Sequence, residues 1–590
     1  MKNTLLIPRL WLVFTVLWTS SSALWAGSAD AALDAFFQRY LDDHLRLRPL
    51  EATRLGDRRH DARLEDLSRE ARAGWTRLTR QTLRELPRQV KRKELSRAGQ
   101  IDYEILEHEL RKSLWLAENT RPFEEDPRVY GEYLSDSVYL LLAQSTLPPE
   151  LTLSNALARM EQIPGIVSAA KANLKNPPRT VLETALRQNQ GAIGFYDGDL
   201  LNFVGHEPQR EAMKVAGARV AAELRDYQTF LETDLLPRAT GNWRLGRARF
   251  AQKLELEMDA GLTADQVLAE AEAEYGNVLT EMFVVARQLW GQYQKGRPLP
   301  ADDERGRRET IATVLRGVAQ EHGDGSELVG DARATVGRIR QFIAENDLLR
   351  LPDPDRCQVI EMPEFQRGNS VAYLNSAPPL EPEAASFYAV SPPASDWSPE
   401  QVRSLLEEYN RHMLQILTIH EAYPGHYVQL EYSNRARSPI RRVIQSGPFI
   451  EGWAVYTERM MLDQGYGEGN LALRLTQLKF YLRAVVNAIL DHRLHCSNWS
   501  DADAIELLVD GAFQSDEEAR LKLIRAKQTS VQLSTYFVGR MALHRTRQTI
   551  QRELGNDFDL GRFHEAVLAH GSVPVKFLPE LVRERLRQPR

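Results

Sequence analysis

Cysteine is nearly absent from this 590-residue chain, which carries only Cys357 and Cys496. Two residues so far apart make neither a disulfide framework nor a cysteine-based zinc motif, and their spacing does not say whether they meet. Long apolar runs are missing as well. Beyond the N-terminus no stretch approaches the ~18 uninterrupted apolar residues of a membrane-spanning helix. Positive charge is not in excess: the formal net charge is −6, which gives no electrostatic reason to expect nucleic acid. Neither a Gly-x-Ser-x-Gly elbow nor a glycine-rich phosphate loop occurs, so serine-hydrolase and nucleotide-binding signatures are both lacking. No repeat period points to a solenoid.

What is present begins with a leader. Lys2 and Arg9 precede the apolar stretch LWLVFTVLW, and small residues follow from Ser20 to Ala29. Charge, short apolar run and small-residue zone, in that order, describe a secretory signal peptide over residues 1–28. Cleavage fits after Ala26, Ser28 or Ala31. With no cysteine in this region, a lipid anchor is not expected. The expected location is therefore periplasmic or secreted, with no stable membrane anchor once the leader is removed.

The remainder, within a chain that is 43% apolar, reads as helix after helix. Leu33, Phe36, Phe37, Tyr40, Leu41, His44 and Leu45 recur at three-and-four spacing, an amphipathic stripe. Thr263–Gln266 and Ser398–Gln401 both match a capping box, the second with Pro399 at the first helical position. The segment 351–399 breaks the pattern: it is rich in proline, and CQVIEM and SVAYLN alternate as short strands do. The sequence thus predicts a mainly α-helical, two-lobed fold with a small β element. An N-terminal helical region spans 29–240, and 241–590 holds all the candidate chemistry.

That chemistry centres on TIHEAYPGHYVQLEY, residues 418–432. A long helix is expected to start at Ser398 and run to Tyr423, with Leu405, Leu406, Tyr409, Met413, Ile416, Leu417 and His420 on one face. In the usual zinc helix, two histidines at i and i+4 share a face and the intervening glutamate reaches the metal-bound water. Here the second histidine is two residues late. On a regular helix His426 would lie about 240° from His420, at ~100° per residue. Pro424 and Gly425 must therefore break the helix and swing His426 back. Glu421 beside His420 is costly in an apolar helix unless it has a task. Downstream, GPFIEGWAVYTERMM offers Glu451 and Glu458 seven apart on one helix face, from which a third ligand can be donated.

His420-Glu421-x-x-Pro424-Gly425-His426-x-x-Gln429, followed by Glu451-Gly452-Trp453-Ala454, resembles the bacterial domain-of-unknown-function 885 family, which is placed in the thermolysin-like metallopeptidase superfamily. Glu451-Gly-Trp-Ala also resembles the Glu-Gly-Phe-Ala segment of zinc aminopeptidases. The helical plan is similar to the cleft-shaped oligopeptidases and carboxypeptidase Taq-like enzymes. The resemblance implies zinc held by His420, His426 and Glu451, with Glu421 as general base. Two departures stand out: Tyr427 replaces a second histidine of many members, and Asp491-His492-Arg493-Leu494-His495 carries arginine where glycine is usual.

An exported zinc peptidase acting on short peptides is the reading that follows. His495 and Tyr536 are the candidates to stabilise the developing oxyanion, and the edge of a strand near Val371–Leu374 is a candidate to pair with an extended peptide. Two alternatives remain from sequence alone: an inactive helical binding protein that keeps the fold, and a zinc hydrolase of non-peptide amides or esters.

Overall fold

The computed structural model describes residues 10–205, 207–362, 372–394 and 397–588, with side chains from residue 29 onward. The expected leader, residues 1–28, lies outside the residues whose side chains are described, and Val371 lies outside altogether. Helix α1 runs Leu10–Leu47, and the stripe read from its spacing is the face it buries: Leu33, Phe36, Phe37, Leu41 and Leu45 are all in the core. Asp30 at its side accepts hydrogen bonds from the backbone N–H and hydroxyl of Ser96 at 3.0 and 2.5 Å. Ser96 in turn caps α2 (Arg97–Asn119). No helix among the described residues is long and apolar enough to cross a membrane.

Three apolar cores hold the chain together. One is built from residues between Leu50 and Ala239. The second joins α1 and α2 to the sheet and to the helices carrying the motif. The third gathers α3 (Arg247–Met258) and α4 (Ala264–Tyr293) with the helices that follow residue 470. The Thr263 capping box is complete, Thr263 and Gln266 each satisfying the other's backbone N–H, which is worth about 1 kcal/mol at a helix start.

The β element consists of β1 (Cys357–Glu361), β2 (Ala372–Asn375) and β3 (Ser386–Val390), ordered β1-β3-β2. β1 pairs in parallel with β3, and β2 antiparallel to it, with Leu374 opposite Tyr388. The two alternating runs read from sequence are the outer strands. The central one, SFYAV, has both faces covered and so lacks the alternation that betrays a strand. Among the described residues β2 is an edge, and one row of its backbone groups has no sheet partner.

The single helix expected from Ser398 to Tyr423 is two helices. α5 (Pro399–Glu408) starts with its capping box intact. It ends at Tyr409, and Asn410 restarts the chain as the cap of α6 (Arg411–Glu421), accepting from the N–H groups of His412 and Met413 at 3.0 and 3.1 Å. An asparagine side chain competes well for backbone donors, so it favours a cap over a helix interior. Then come α7 (His426–Asn434), α8 (Gly447–Asp463), α9 (Leu471–Cys496), α10 (Asp516–Gln528) and α11 (Thr535–Leu554). Both α8 and α11 feed the second and third cores, through Trp453 and Leu543 on one side and Val455 and Phe537 on the other. The candidate site lies on that seam.

Candidate metal centre

The break after Glu421 is real. α6 closes with the N–H groups of Ala422 and Tyr423 both on the carbonyl of Thr418, and Gly425 N–H returns to the carbonyl of Ile419 at 3.0 Å. A side chain at 425 would overlap the carbonyl oxygens of His420 and Ile419, so only glycine lets the chain double back this tightly. Three anchors fix the turn. Trp453 of α8 donates its indole N–H to the carbonyl of Pro424 at 2.8 Å. The Tyr423 hydroxyl donates to the Asp355 carboxylate at 2.7 Å. Further along α7, Gln429 donates to the Ser572 hydroxyl at 2.7 Å, so the HGSVP segment near the C-terminus buttresses the motif from behind.

As a result His420 and His426, from different helices, meet edge to face with ring centroids 4.7 Å apart. Glu451, one turn into α8, points between them: its Oε2 is 3.8 Å from His420 Nε2 and 3.5 Å from His426 Nε2. One ligand atom from each of the three lies within 4.8 Å of the others. That oxygen is buried and accepts no hydrogen bond. A carboxylate oxygen so placed is expensive unless something positive sits against it. Tetrahedral zinc with ligand bonds of about 2.0–2.1 Å separates its ligand atoms by roughly 3.4 Å, close to the two distances from Glu451 to the histidines. The residues fit a divalent metal such as zinc.

Electrostatics support the same assignment. Burial, then the charge of His426, pushes His420 down to about 3, so its ring is neutral and its Nε2 lone pair is available. Burial also lowers His426, but Glu451 outweighs it and holds His426 above its ordinary value. Burial raises Glu451, and His426, then His420 and Tyr536, more than offset this and leave it low.

Two further carboxylates complete the centre. Glu458, fully buried two turns beyond Glu451 on α8, is 2.7 Å from His420 Nδ1, and burial raises its carboxyl well above the ordinary value. With the imidazole donating from Nδ1, this contact selects the tautomer that leaves Nε2 free, the outer-shell arrangement common to metal-ligating histidines. Sequence reading put Glu458 on the right face but gave it no task; its i+7 spacing from Glu451 was the available signal. Glu421, next to His420, turns its Oε2 to the free edge of β2, where the Leu374 N–H donates to it at 3.0 Å. The hydroxyls of Tyr388 in β3 and Thr418 in α6 are 3.1 Å apart and tie the sheet to the same helix. Burial, partly offset by His426 and reinforced by Glu451, lifts Glu421 to about 7.

The two remaining candidates separate. Tyr536 lies against Glu451, brought there because α8 and α11 cross at Gly452 and Gly539, whose backbones touch. Its hydroxyl accepts from Arg525 at 3.3 Å and lies close enough to Glu451 to help lower that carboxyl. His495 is elsewhere employed. Its Nε2 faces the carbonyls of Ala526 and Thr529 at 3.1 and 2.9 Å, its Nδ1 faces the Leu245 N–H at 3.4 Å, and its ring stacks on Phe250. No ring nitrogen is left for a reacting atom. Asp491, one turn earlier on α9, accepts from Val531 N–H and the Ser534 hydroxyl at 3.0 and 2.9 Å. Together the pair pins the loop that leads into Tyr536.

A cleft of about 260 Å³ reaches Glu451 from between α2, α3, α8 and α11, with His108, Glu109, Lys112 and Glu257 on its walls. A larger one of about 900 Å³, around Trp290 and Arg316, contains none of the cluster.

No curated protein matches the chain significantly. Two solved structures resemble it over nearly their whole length. A candidate lipoprotein of unknown function from Shewanella oneidensis is 30% identical, with a TM-score of 0.78, over 93% of this chain and 99% of its own. A candidate lipoprotein from Colwellia psychrerythraea is 17% identical, with a TM-score of 0.76, over 95% of this chain and 99% of its own. Residues 49–582 match the sequence model of the bacterial proteins of unknown function DUF885, and the chain is a member of that family.

Proposed function

We propose that this protein is an exported, zinc-dependent peptidase of short peptides. The observation that carries the reading is the unpartnered Glu451 oxygen between the Nε2 atoms of His420 and His426, with a second carboxylate, Glu421, immediately beside the cluster. Zinc held by three such ligands lowers the pKa of a coordinated water and polarises a substrate carbonyl. Glu421 then has the task of a general base: it takes a proton from the attacking water and delivers it to the leaving amine. Burial raises its carboxyl to about 7, close to the optimum for proton transfer at neutral pH. Glu458 holds the His420 tautomer. Tyr536, whose hydroxyl lies beside Glu451, is the donor for the developing oxyanion.

The edge of β2, which has no strand on its outer side among the described residues, supports a peptide as substrate, because an extended chain laid along it gains backbone hydrogen bonds regardless of sequence. Export rests on the N-terminal leader, and the description of both similar structures as candidate lipoproteins agrees with it. Placement in the thermolysin-like superfamily is part of this proposal. It rests on the His-Glu-x-x-Pro-Gly-His and Glu-Gly-Trp-Ala segments. The experiment is digestion of a mixed peptide library read by mass spectrometry, with a chelator and with zinc restored. Zinc-dependent cleavage is expected from the parent chain and a loss on the order of 10²–10⁴ in rate from Glu421→Gln. Unchanged hydrolysis in that variant removes Glu421 from the mechanism, and cleavage of simple esters but no peptide reassigns the substrate.

A further inference from the structure

Two paths lead out of the cluster, each through one aromatic ring to an arginine. His420 packs edge-on against Phe480 of α9 with centroids 5.7 Å apart, and the guanidinium of Arg483 lies over that ring at 5.4 Å. Glu451 touches Tyr536, and Arg525 of α10 donates to the Tyr536 hydroxyl at 3.3 Å. Lys522 stands one helical turn before Arg525 and feels the charges of both arginines. Only Arg483 is neutralised, by Glu518 and by Glu408 at 3.5 Å, and Glu408 also takes Lys479 at 2.8 Å. Among the described residues no carboxylate is within ion-pair distance of Lys522 or Arg525. Arg525 is exposed and Lys522 half-buried, so both can meet a ligand.

Glu518, one turn before Lys522 on α10, is committed to Arg483, which leaves Lys522 and Arg525 on the same helix face with no carboxylate of their own, an unfavourable arrangement in a partly desolvated site. Here burial, followed by Arg483 and Arg525, pushes Lys522 down to about 7. An anion drawn from the substrate relieves Lys522 and Arg525 together. Resting on the peptidase reading above, we infer that Lys522 and Arg525, next to the already paired Arg483, form a subsite that takes the C-terminal carboxylate of a peptide bound at the cluster. This would make the enzyme cut near the C-terminal end. Guanidinium and ammonium groups suit this role, because hydrogen bonds from them to a carboxylate are the strong, charge-assisted kind.

The test is binding, so that it does not depend on turnover. Zinc-loaded Glu421→Gln protein is titrated calorimetrically with one N-acetylated tripeptide as free acid and as C-terminal amide. The free acid should bind about ten- to a hundredfold tighter, as expected for a charge-assisted contact. That preference should vanish in Glu421→Gln/Lys522→Gln and return in Glu421→Gln/Lys522→Arg, which also controls for folding. Equal affinity for acid and amide, or no binding of either, overturns the subsite. An amide with an internal glutamate that binds as tightly as the free acid overturns the assignment to the chain terminus. Acid-selective binding without cleavage of any peptide by the parent enzyme would sink the peptidase reading and leave the subsite standing.

Discussion

Replacing Gly452 by alanine tests how the site is held together. A Cβ at 452 would sit 2.5 Å from the Gly539 Cα and 2.7 Å from the Arg540 nitrogen, where ordinary contact begins near 3.4 Å. All the atoms it meets are backbone, so no side chain can swing aside and α8 and α11 must part by close to 1 Å. Two effects oppose each other. Alanine gains about 1 kcal/mol over glycine within a helix. Overpacking in a dense interior costs roughly 1–3 kcal/mol, and here it falls on a helix pair buried on the seam of two cores. Overpacking should win, leaving Gly452→Ala less stable by up to about 2 kcal/mol. The damage should also be local, because Glu451 is the adjacent residue and Tyr536 faces it from α11. Urea denaturation of the metal-free protein gives the stability change, and zinc titration the effect on the site. Equal or greater stability together with unaltered zinc affinity would refute the tight crossing as the device that positions Glu451 and Tyr536.

Three other outcomes follow from the same geometry. Glu458→Gln replaces the carboxyl that meets His420 Nδ1 by an amide, and should lower zinc affinity about 10–100-fold with little change in fold; unchanged affinity in a chelator competition would deprive Glu458 of its role. Zinc competes with protons for His426, whose pKa is raised above its ordinary value of 6.5, and it favours ionised Glu421, itself lifted to about 7. Affinity should therefore fall as pH drops through 7 and the protons released per zinc should rise, as read by calorimetry in buffers of different ionisation enthalpy; pH-independent binding between 5 and 8 would contradict this. Because Asp30 caps the start of α2 through Ser96, the mature protein should retain it. Mass spectrometry should find cleavage after Ala26 or Ser28, and cleavage after Ala31 would show the cap to be dispensable.

Much of the site was legible because its logic is local. Pro424 and Gly425 announce a break that two histidines six apart require, and Glu451 follows on a helix whose Gly452 permits a close crossing. The apolar stripe of α1 and both capping boxes are likewise local signals. What could not be read depends on contacts distant in sequence. The Leu374 N–H reaches Glu421 only because β2 is an edge strand docked on α6. The direction in which His495 points was hidden because α9 is buried around most of its circumference, so periodicity marks no face; at i, i+4 it and Asp491 do share a task, but that task is holding a loop. Asn410 was a visible cap signal that a continuous apolar stripe from Leu405 to His420 overrode. The cation group at Lys522, Arg525 and Arg483 joins two helices and has no sequence signature.

Metal content is the most direct test of the central claim. The purified mature protein, supplied with zinc and freed of loosely held ions, should carry about one zinc per chain, as a three-ligand site demands. His420→Ala, His426→Ala and Glu451→Ala should each lose it, whereas Glu421→Gln should retain it while losing turnover. An absence of metal in the parent chain, or as much zinc in His420→Ala as in the parent, would contradict the account.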